Sequence, residues 1–249
     1  MVAQRALDYR EVETEYILFL DDDVYLPPDG VEYLFNAMKQ YDGDVISPDV
    51  FNNAGRSTKQ EIPLILSGRI SVRYKDNTWG YKVMRNGGYS YNKHPHPIMK
   101  SQTNAGSCFL CKKNDFEKIR FQEELWLDDM PYALGEDQTM FYKMFLSGLN
   151  VLTSYDSGIK HLDAGTTIKN AEKEKVLAFC DCRFKLIFWK RFLFDNVTRA
   201  NKVVNLICFV YTMIINLLIS LIKGNTTIFK QKYYGYKSGF HFLTTNSSK

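Results

Sequence analysis

Tyr16-Ile17-Leu18-Phe19-Leu20-Asp21-Asp22-Asp23-Val24 runs five apolar or aromatic residues straight into three carboxylates. A short apolar run rich in β-formers reads as a strand buried on both faces, of the kind found in a parallel sheet covered by helices. Three adjacent acids at its carboxyl end repel one another unless a cation lies among them, and in open α/β sheets ligands bind at that end. Hard divalent cations such as Mg²⁺ or Mn²⁺ take carboxylate ligands together with phosphate oxygens, so the stretch is expected to form a metal–phosphate site. The alternative is a solvated acidic turn, because Pro27-Pro28-Asp29-Gly30 is a turn or helix-start signal. A turn alone does not explain three acids set directly against a core strand.

Outward from this strand, short apolar runs alternate with helical periodicities, the pattern of an α/β fold. Residues 2–10 read as the last turns of a helix. Asp29–Tyr41 reads as an amphipathic helix with Val31, Leu34, Phe35 and Met38 on one stripe. Asp42-Gly43-Asp44 is a turn, and Val45–Pro48 a short strand. From Asn52 to Gln102 the periodicity weakens, with short strands such as Ile70–Tyr74 plausible in it; long irregular segments in compact domains are usually functional or mobile. His94 and His96 alternate with prolines and read as extended loop. Ser107–Cys111 is a second buried strand, followed by a short helix capped by Asn114 and ending at Ile119. A helix from Asp137 places Phe141, Met144 and Phe145 on one face and closes at Gly148, and Val151-Leu152 begins another strand.

The 249 residues suffice for one large or two modest domains, and 45% hydrophobic with 24% charged residues is ordinary globular composition. The net charge of +4 hides an asymmetry: residues 1–164 hold 18 Lys+Arg against 24 Asp+Glu, whereas residues 165–249 hold 14 against 4. Five cysteines at no disulfide-framework spacing, with an apolar filling between Cys108 and Cys111, are expected to be core thiols in a reducing compartment. The amino terminus shows no apolar h-region, so the sequons at Asn196, Asn225 and Asn246 are expected to be incidental.

Acidic clusters stand at element ends: Asp21–Asp23, Asp128-Asp129 and Glu136-Asp137, with His161 after a later strand. Singly, each has a plain account. Glu136-Asp137 suits a helix start, where the macrodipole favours acids; Asp128-Asp129 suits a solvated loop; a lone histidine is more often structural than a ligand. Their order and spacing say more. "YILFLDDD" followed by "YLPPDGVEYL" resembles the DxD region of the family 2 inverting glycosyltransferases of GT-A fold. "GEDQTMFYKMFLSG" resembles their ED motif, and "GIKHLD" their late metal-binding histidine. "VAQRALDY" resembles a helix that carries an Arg-Asn pair in many members, with Arg5 kept and Ala6 at the Asn position.

The resemblance covers roughly residues 2–165 and implies a Rossmann-related mixed sheet with flanking helices. It implies Asp23 and His161 as ligands of Mg²⁺ or Mn²⁺, Asp21, Asp22 and Arg5 toward a nucleotide-sugar donor, and Asp137 as the general base. Glu136 and Trp126 are candidates for the acceptor side. Family members begin with a strand and helix that cradle the nucleotide base. The chain is therefore expected to be an amino-terminally truncated domain with weak nucleotide affinity.

Past residue 165, Glu172–Phe194 reads as a basic, aromatic helix, and Val203–Ile222 is nearly continuous apolar sequence. Only Asn205, Thr212, Asn216 and Ser220 interrupt it, all on one helical stripe. About 20 residues is the length that spans a bilayer. Basic residues flank both ends, which disfavours a simple crossing and favours an in-plane or hairpin-like helix on the inner leaflet. The expected organisation is a partial catalytic domain over 1–165, a basic aromatic helix and linker over 166–202, and a membrane-associated helix and tail over 203–249. The expected function is metal-dependent, inverting glycosyl transfer to a saccharide or lipid-linked acceptor at the cytoplasmic face of a membrane, as in cell-surface polysaccharide synthesis. The alternatives are a non-catalytic remnant or scaffold of such an enzyme, and a metal-dependent nucleotidyltransferase or phosphohydrolase, which needs a second cluster near the first metal. Nucleic acid is not an expected partner, because the basic charge flanks a membrane-length apolar segment.

Overall fold

The structure, a computed structural model, describes residues 2–50, 79–91, 96–162 and 170–246. The readings at Ile70–Tyr74 and His94, and most of the irregular span, lie outside the described residues. The described elements run α1 (Val2–Arg5), β1 (Tyr16–Leu20), β2 (Val24–Tyr25), α2 (Gly30–Gln40), β3 (Val45–Pro48), β4 (Tyr81–Val83), β5 (Tyr89–Tyr91), β6 (Ile98–Lys100), β7 (Cys108–Lys112) and α3 (Lys113–Lys118). Two 3-10 segments, Phe121–Leu127 and Pro131–Ala133, lead to α4 (Glu136–Leu146), β8 (Val151–Ser154) and β9 (Lys160–His161). The tail is α5 (Ala171–Phe188), a π-helical turn at Trp189–Phe194, α6 (Arg199–Ile222) and α7 (Thr226–Asn246).

A five-stranded sheet has the order β1-β7-β3-β8-β6. Only β3 and β8 run parallel; the other neighbouring pairs are antiparallel. The pleat sends alternate side chains to opposite faces. Val45, Phe109, Cys111 and Val151 therefore enter a large aromatic core with α4, α5 and the tail. Ile46, Cys108, Leu110 and Leu152 enter a smaller one under Leu34, Ala37 and Met38 of α2. The sheet is thus covered on both sides, a mixed α/β architecture.

β1 departs from its sequence reading. It pairs with β7 antiparallel, Leu18 opposite Leu110, and among the described residues it has no second neighbour. Its first four residues are half-buried and Leu20 is exposed. An apolar run marks a strand, but burial on both faces needs covering layers on both sides, and cover for both edges needs a strand on each. Those come from elsewhere in the sequence. A smaller correction concerns α3: Lys112, extended at the end of β7, is its N-cap and Asn114 lies inside it. The four buried cysteines are core groups as expected, and burial pushes the Cys108 and Cys182 thiols up to about 12.

In the tail, Asn170 Oδ1 caps α5 by accepting from Glu172 N and Lys173 N at 2.7 and 3.3 Å. The expected single helix Glu172–Phe194 is instead α5 plus the wide π turn. α7 lies against α5 with backbone-close contact, since a Cβ at Gly235 would sit 2.3 Å from the Phe179 carbonyl oxygen. α6 is long and apolar enough to cross a membrane, yet only 17% of its most apolar window is buried. The expected polar stripe is present and turned inward: Asn205 and Ser220 are buried, while Val204, Ile207, Ile214 and Leu218 are exposed.

Candidate active site

The chain leaves β1 at Asp21, whose amide donates to Ser107 O at 2.8 Å, and turns through exposed Asp22 to Asp23. Two backbone pairings then close the turn against a distant segment. Val24 pairs with His161, and Leu162 N donates to Asp23 O at 2.7 Å. This ladder sets His161 Nε2 3.1 Å from Asp23 Oδ1. One ligand atom from each of Asp21, Asp23 and His161 lies within 4.8 Å of the other two. Two hard carboxylate oxygens and one imidazole nitrogen, gathered at the open end of a strand, are a donor set that suits Mn²⁺, and Mg²⁺ where phosphate oxygens and water complete the shell. Among the described residues no second group of this kind stands beside it. Burial pushes the Asp21 carboxyl above its usual range, against the opposing pull of Arg5.

Behind the acids lies Arg5, 8% exposed. Its Nη1 donates to Asp137 Oδ1 at 3.0 Å and its Nη2 to Gly106 O at 2.9 Å. Its Nε lies 3.3 Å from Glu136 Oε1, and Nη2 lies 3.8 Å from Asp21 Oδ1. One guanidinium therefore joins the acids of β1 to those of α4. Burial opposes the charge of Arg5, but Asp137, Glu136 and Asp21 outweigh it and leave the guanidinium more basic than usual. The position of Arg5 is fixed from outside its own short helix: Asp128 accepts from Val2 N at 3.0 Å and from Ala3 N at 2.8 Å. Gly106 permits the close approach, because a Cβ there would lie 2.0 Å from Asp137 Oδ1.

Asp137 and Glu136 open α4 with unlike surroundings. The Asp137 side chain is 41% exposed, whereas that of Glu136 is 2% exposed and, among the described residues, receives no hydrogen bond. Burial, offset in part by Arg5, raises the Glu136 carboxyl to about 7. The chain enters α4 at Gly135, with φ of 91°, and the Phe184 ring of α5 would lie 2.3 Å from any Cβ placed there. Only glycine meets both demands. The tail thus braces the start of the helix that presents Asp137.

The structure brings together Arg5, Asp21, Asp23, Glu136, Asp137 and His161, residues from four separate segments. Trp126 is not among them. It is buried, its Nε1 donates to Glu124 Oε2 at 2.6 Å, and its ring packs on Phe242. It has no open face for an acceptor sugar; an aromatic side chain in a 3-10 turn has filled the core. Asp128, read from sequence as solvated loop, serves as the cap of α1. Gly106 and Asp128 were missed because nothing local marks them.

Residues 3–120 match the family model described as Glycosyl transferase family 2, and no curated protein matches the chain. The matched span contains Arg5, Asp21 and Asp23; Asp137 and His161 follow it.

Proposed function

We propose that this chain, which carries a glycosyl transferase family 2 domain, is a metal-dependent, inverting glycosyltransferase. It would move a sugar from a nucleoside-diphosphate donor to a saccharide or lipid-linked acceptor. The observation that supports the metal part is the grouping of Asp21, Asp23 and His161 ligand atoms within 4.8 Å. Asp23 and His161, with Asp21 beside them, would hold Mg²⁺ or Mn²⁺, and the bound ion supplies charge neutralisation for the departing diphosphate. Asp22, exposed in the same turn, is assigned to the donor's ribose. Asp137 is assigned as general base. Its carboxylate takes the acceptor hydroxyl's proton as that oxygen bonds to the anomeric carbon, and the bond to the diphosphate breaks on the opposite face with its electron pair leaving on the diphosphate. In this reading Arg5 aims Asp137 rather than meeting the donor itself, because its hydrogen bonds go to Asp137 and Gly106. The chain would work at the cytoplasmic face of a membrane: the exposed apolar side of α6 supports the membrane, and the basic residues flanking that helix support the cytoplasmic side.

The test is a screen of nucleotide sugars for release of nucleoside diphosphate, with Mn²⁺, with Mg²⁺ and with chelator. The expected result is metal-dependent release that Asp23→Asn and Asp137→Asn both remove, with the product's anomeric configuration inverted by NMR. Release that survives chelation, or a retained configuration, overturns the proposal.

A further inference from the structure

Every member of the polar stripe on α6 has a partner inside the protein. Asn205, 4% exposed, donates to Leu193 O at 2.6 Å and accepts from Arg85 Nη1 at 2.9 Å. Thr212 accepts from Asn86 Nδ2 at 3.0 Å. Asn216 accepts from Lys232 Nζ at 2.7 Å and lies 3.4 Å from the Tyr236 hydroxyl. Ser220 is buried and donates back to Asn216 O at 3.3 Å. On the opposite side Val204, Ile207, Tyr211, Ile214, Leu218 and Leu221 are between 41% and 64% exposed. They recur every three or four residues, so they form one continuous apolar strip along the helix. Large exposed strips of this kind mark interaction surfaces.

Charge identifies the occupant. Asp195 is the last acid of the chain, and residues 196–249 contain seven Lys and Arg and no Asp or Glu. Arg199 opens α6 and Lys223 follows its end, both exposed. We propose that α6 lies flat in the headgroup–acyl boundary of an anionic bilayer, its apolar strip inserted and its polar stripe bolted to the β4–β5 turn through Asn205 and Thr212 and to α7 through Asn216. This rests on the membrane part of the function proposed above and specifies its geometry. The fastening runs from Asn205 to Asn216 and includes Arg85 and Lys232, so a crossing would drag both charges and the elements that bear them into hydrocarbon. A flat helix leaves them on the water side, and lipid phosphates answer the uncompensated basic charge. A second copy of the chain brings the same positive excess to the strip and is disfavoured by repulsion.

The bolts also reach the site. Arg85 and Asn86 belong to the turn between β4 and β5, closed by Met84 N donating to Gly88 O at 2.7 Å. In that turn Gly87 O accepts from Gln138 Nε2 at 2.8 Å, one residue past Asp137. A bilayer that seats α6 therefore fixes the height of Asp137 above the lipid surface.

The test is flotation of the full chain with vesicles of phosphatidylcholine alone and of phosphatidylcholine with phosphatidylglycerol. The expected result is flotation with the anionic vesicles, weakened by salt and reversed by alkaline carbonate. Ile207→Asp, Ile214→Asp and Leu221→Asp should each weaken it by about tenfold or more and to similar extents, because a flat helix buries all three at one depth. Lys223→Gln should weaken binding roughly fivefold, on anionic vesicles alone. Carbonate resistance with Ile214→Asp far worse than the two outer variants means a crossing and overturns the proposal. Equal flotation on both vesicles overturns the anionic partner, and a concentration-dependent dimer without flotation means a second copy covers the strip. Nucleoside-diphosphate release is measured on the same preparations. Lost flotation with intact release sinks the surface alone; intact flotation without release sinks the transferase reading alone.

Discussion

The carboxyl end of β1 and the length of α6 distribute polar side chains in opposite senses. At the strand end, Asp21, Asp23, Asp137 and His161 sit at partly exposed positions above a core of Phe109, Phe141 and their neighbours. Along α6, Asn205, Thr212, Asn216 and Ser220 turn toward protein and the aliphatic side chains turn away. Polar groups go where partners are. The strand end offers water and, in the proposed reaction, phosphate and sugar. The outer face of α6, in the proposed seating, meets surroundings that offer no hydrogen bonds. It follows that removing a polar group at the first place should cost chemistry, and removing one at the second should cost stability.

The sharpest way to break this contrast is Asp137→Asn. Transfer should fall by about 10²–10⁴-fold while thermal unfolding and donor binding by calorimetry stay near wild type. A variant with ordinary turnover removes Asp137 from the role of base. Next is Glu136→Gln, the exception within the site. An acid whose carboxyl is raised from 4.5 to about 7 by burial holds its proton in the folded protein where the unfolded chain has lost it. The stabilisation is complete below the unfolded value and is lost as pH rises toward 7. Denaturant unfolding should find the variant equal to wild type in acid and more stable above neutrality, by up to about 3 kcal/mol. A difference that does not change with pH refutes the burial argument.

Gly106→Ala tests the aim of Asp137 without touching its chemistry. The added Cβ would lie 2.0 Å from Asp137 Oδ1 and 2.6 Å from Arg5 Nη1. The carboxylate must move, and kcat should drop about 10²-fold with donor affinity retained. An unchanged kcat means that the Arg5–Asp137 pairing does not set the rate. The smallest effect belongs to the tail. Asn205→Ala leaves buried Leu193 O without its Asn205 donor and takes from Arg85 the nearer of two acceptors, Asn201 Oδ1 being the other, so chemical denaturation should show a loss of about 1–3 kcal/mol. Transfer per folded molecule should be unaltered. A fall in turnover without a fall in stability reverses the contrast.

The elements were readable where the signal is local. The apolar stripe of Val31, Leu34, Phe35 and Met38 marked α2, realised as Gly30–Gln40 with Leu34 and Met38 buried but Val31 and Phe35 exposed, and Glu136-Asp137 with its following periodicity marked α4. Burial was less readable, because it depends on remote neighbours. Tyr16–Leu20 looks the same in a central strand and in one with a single partner, and only its pairing to Lys112–Cys108 decides between them. The stripe on α6 was plain in the sequence, but periodicity cannot say which side of a helix faces inward. At the site, the acids and His161 stood out by type and order. Arg5 was named too, through its motif and toward the donor, but its pairing was not legible, since it reaches Asp137 across 132 residues and is steered by a cap from Asp128. Trp126 shows the opposite failure: an aromatic residue near an acidic motif suits a sugar platform and a core equally well until its depth is known.

Glu124 bears on how such a protein could be rebuilt or inherited. It is completely buried, bonded to Lys143 of α4 at 3.0 Å, to Trp126, and to Arg191 of the π turn at 2.6 and 3.1 Å. Arg191 lies beyond the end of the acidic portion, so one of the two cations that neutralise this core anion, Lys143 being the other, is supplied by the tail. A buried ion stripped of one partner costs about 3–5 kcal/mol, a large part of the stability of an ordinary domain. The tail is therefore no interchangeable cassette. Recombination that swapped the tail for another segment would also have to bring a second cation to Glu124, which would tie the proposed catalysis and the proposed membrane address into a single unit of inheritance.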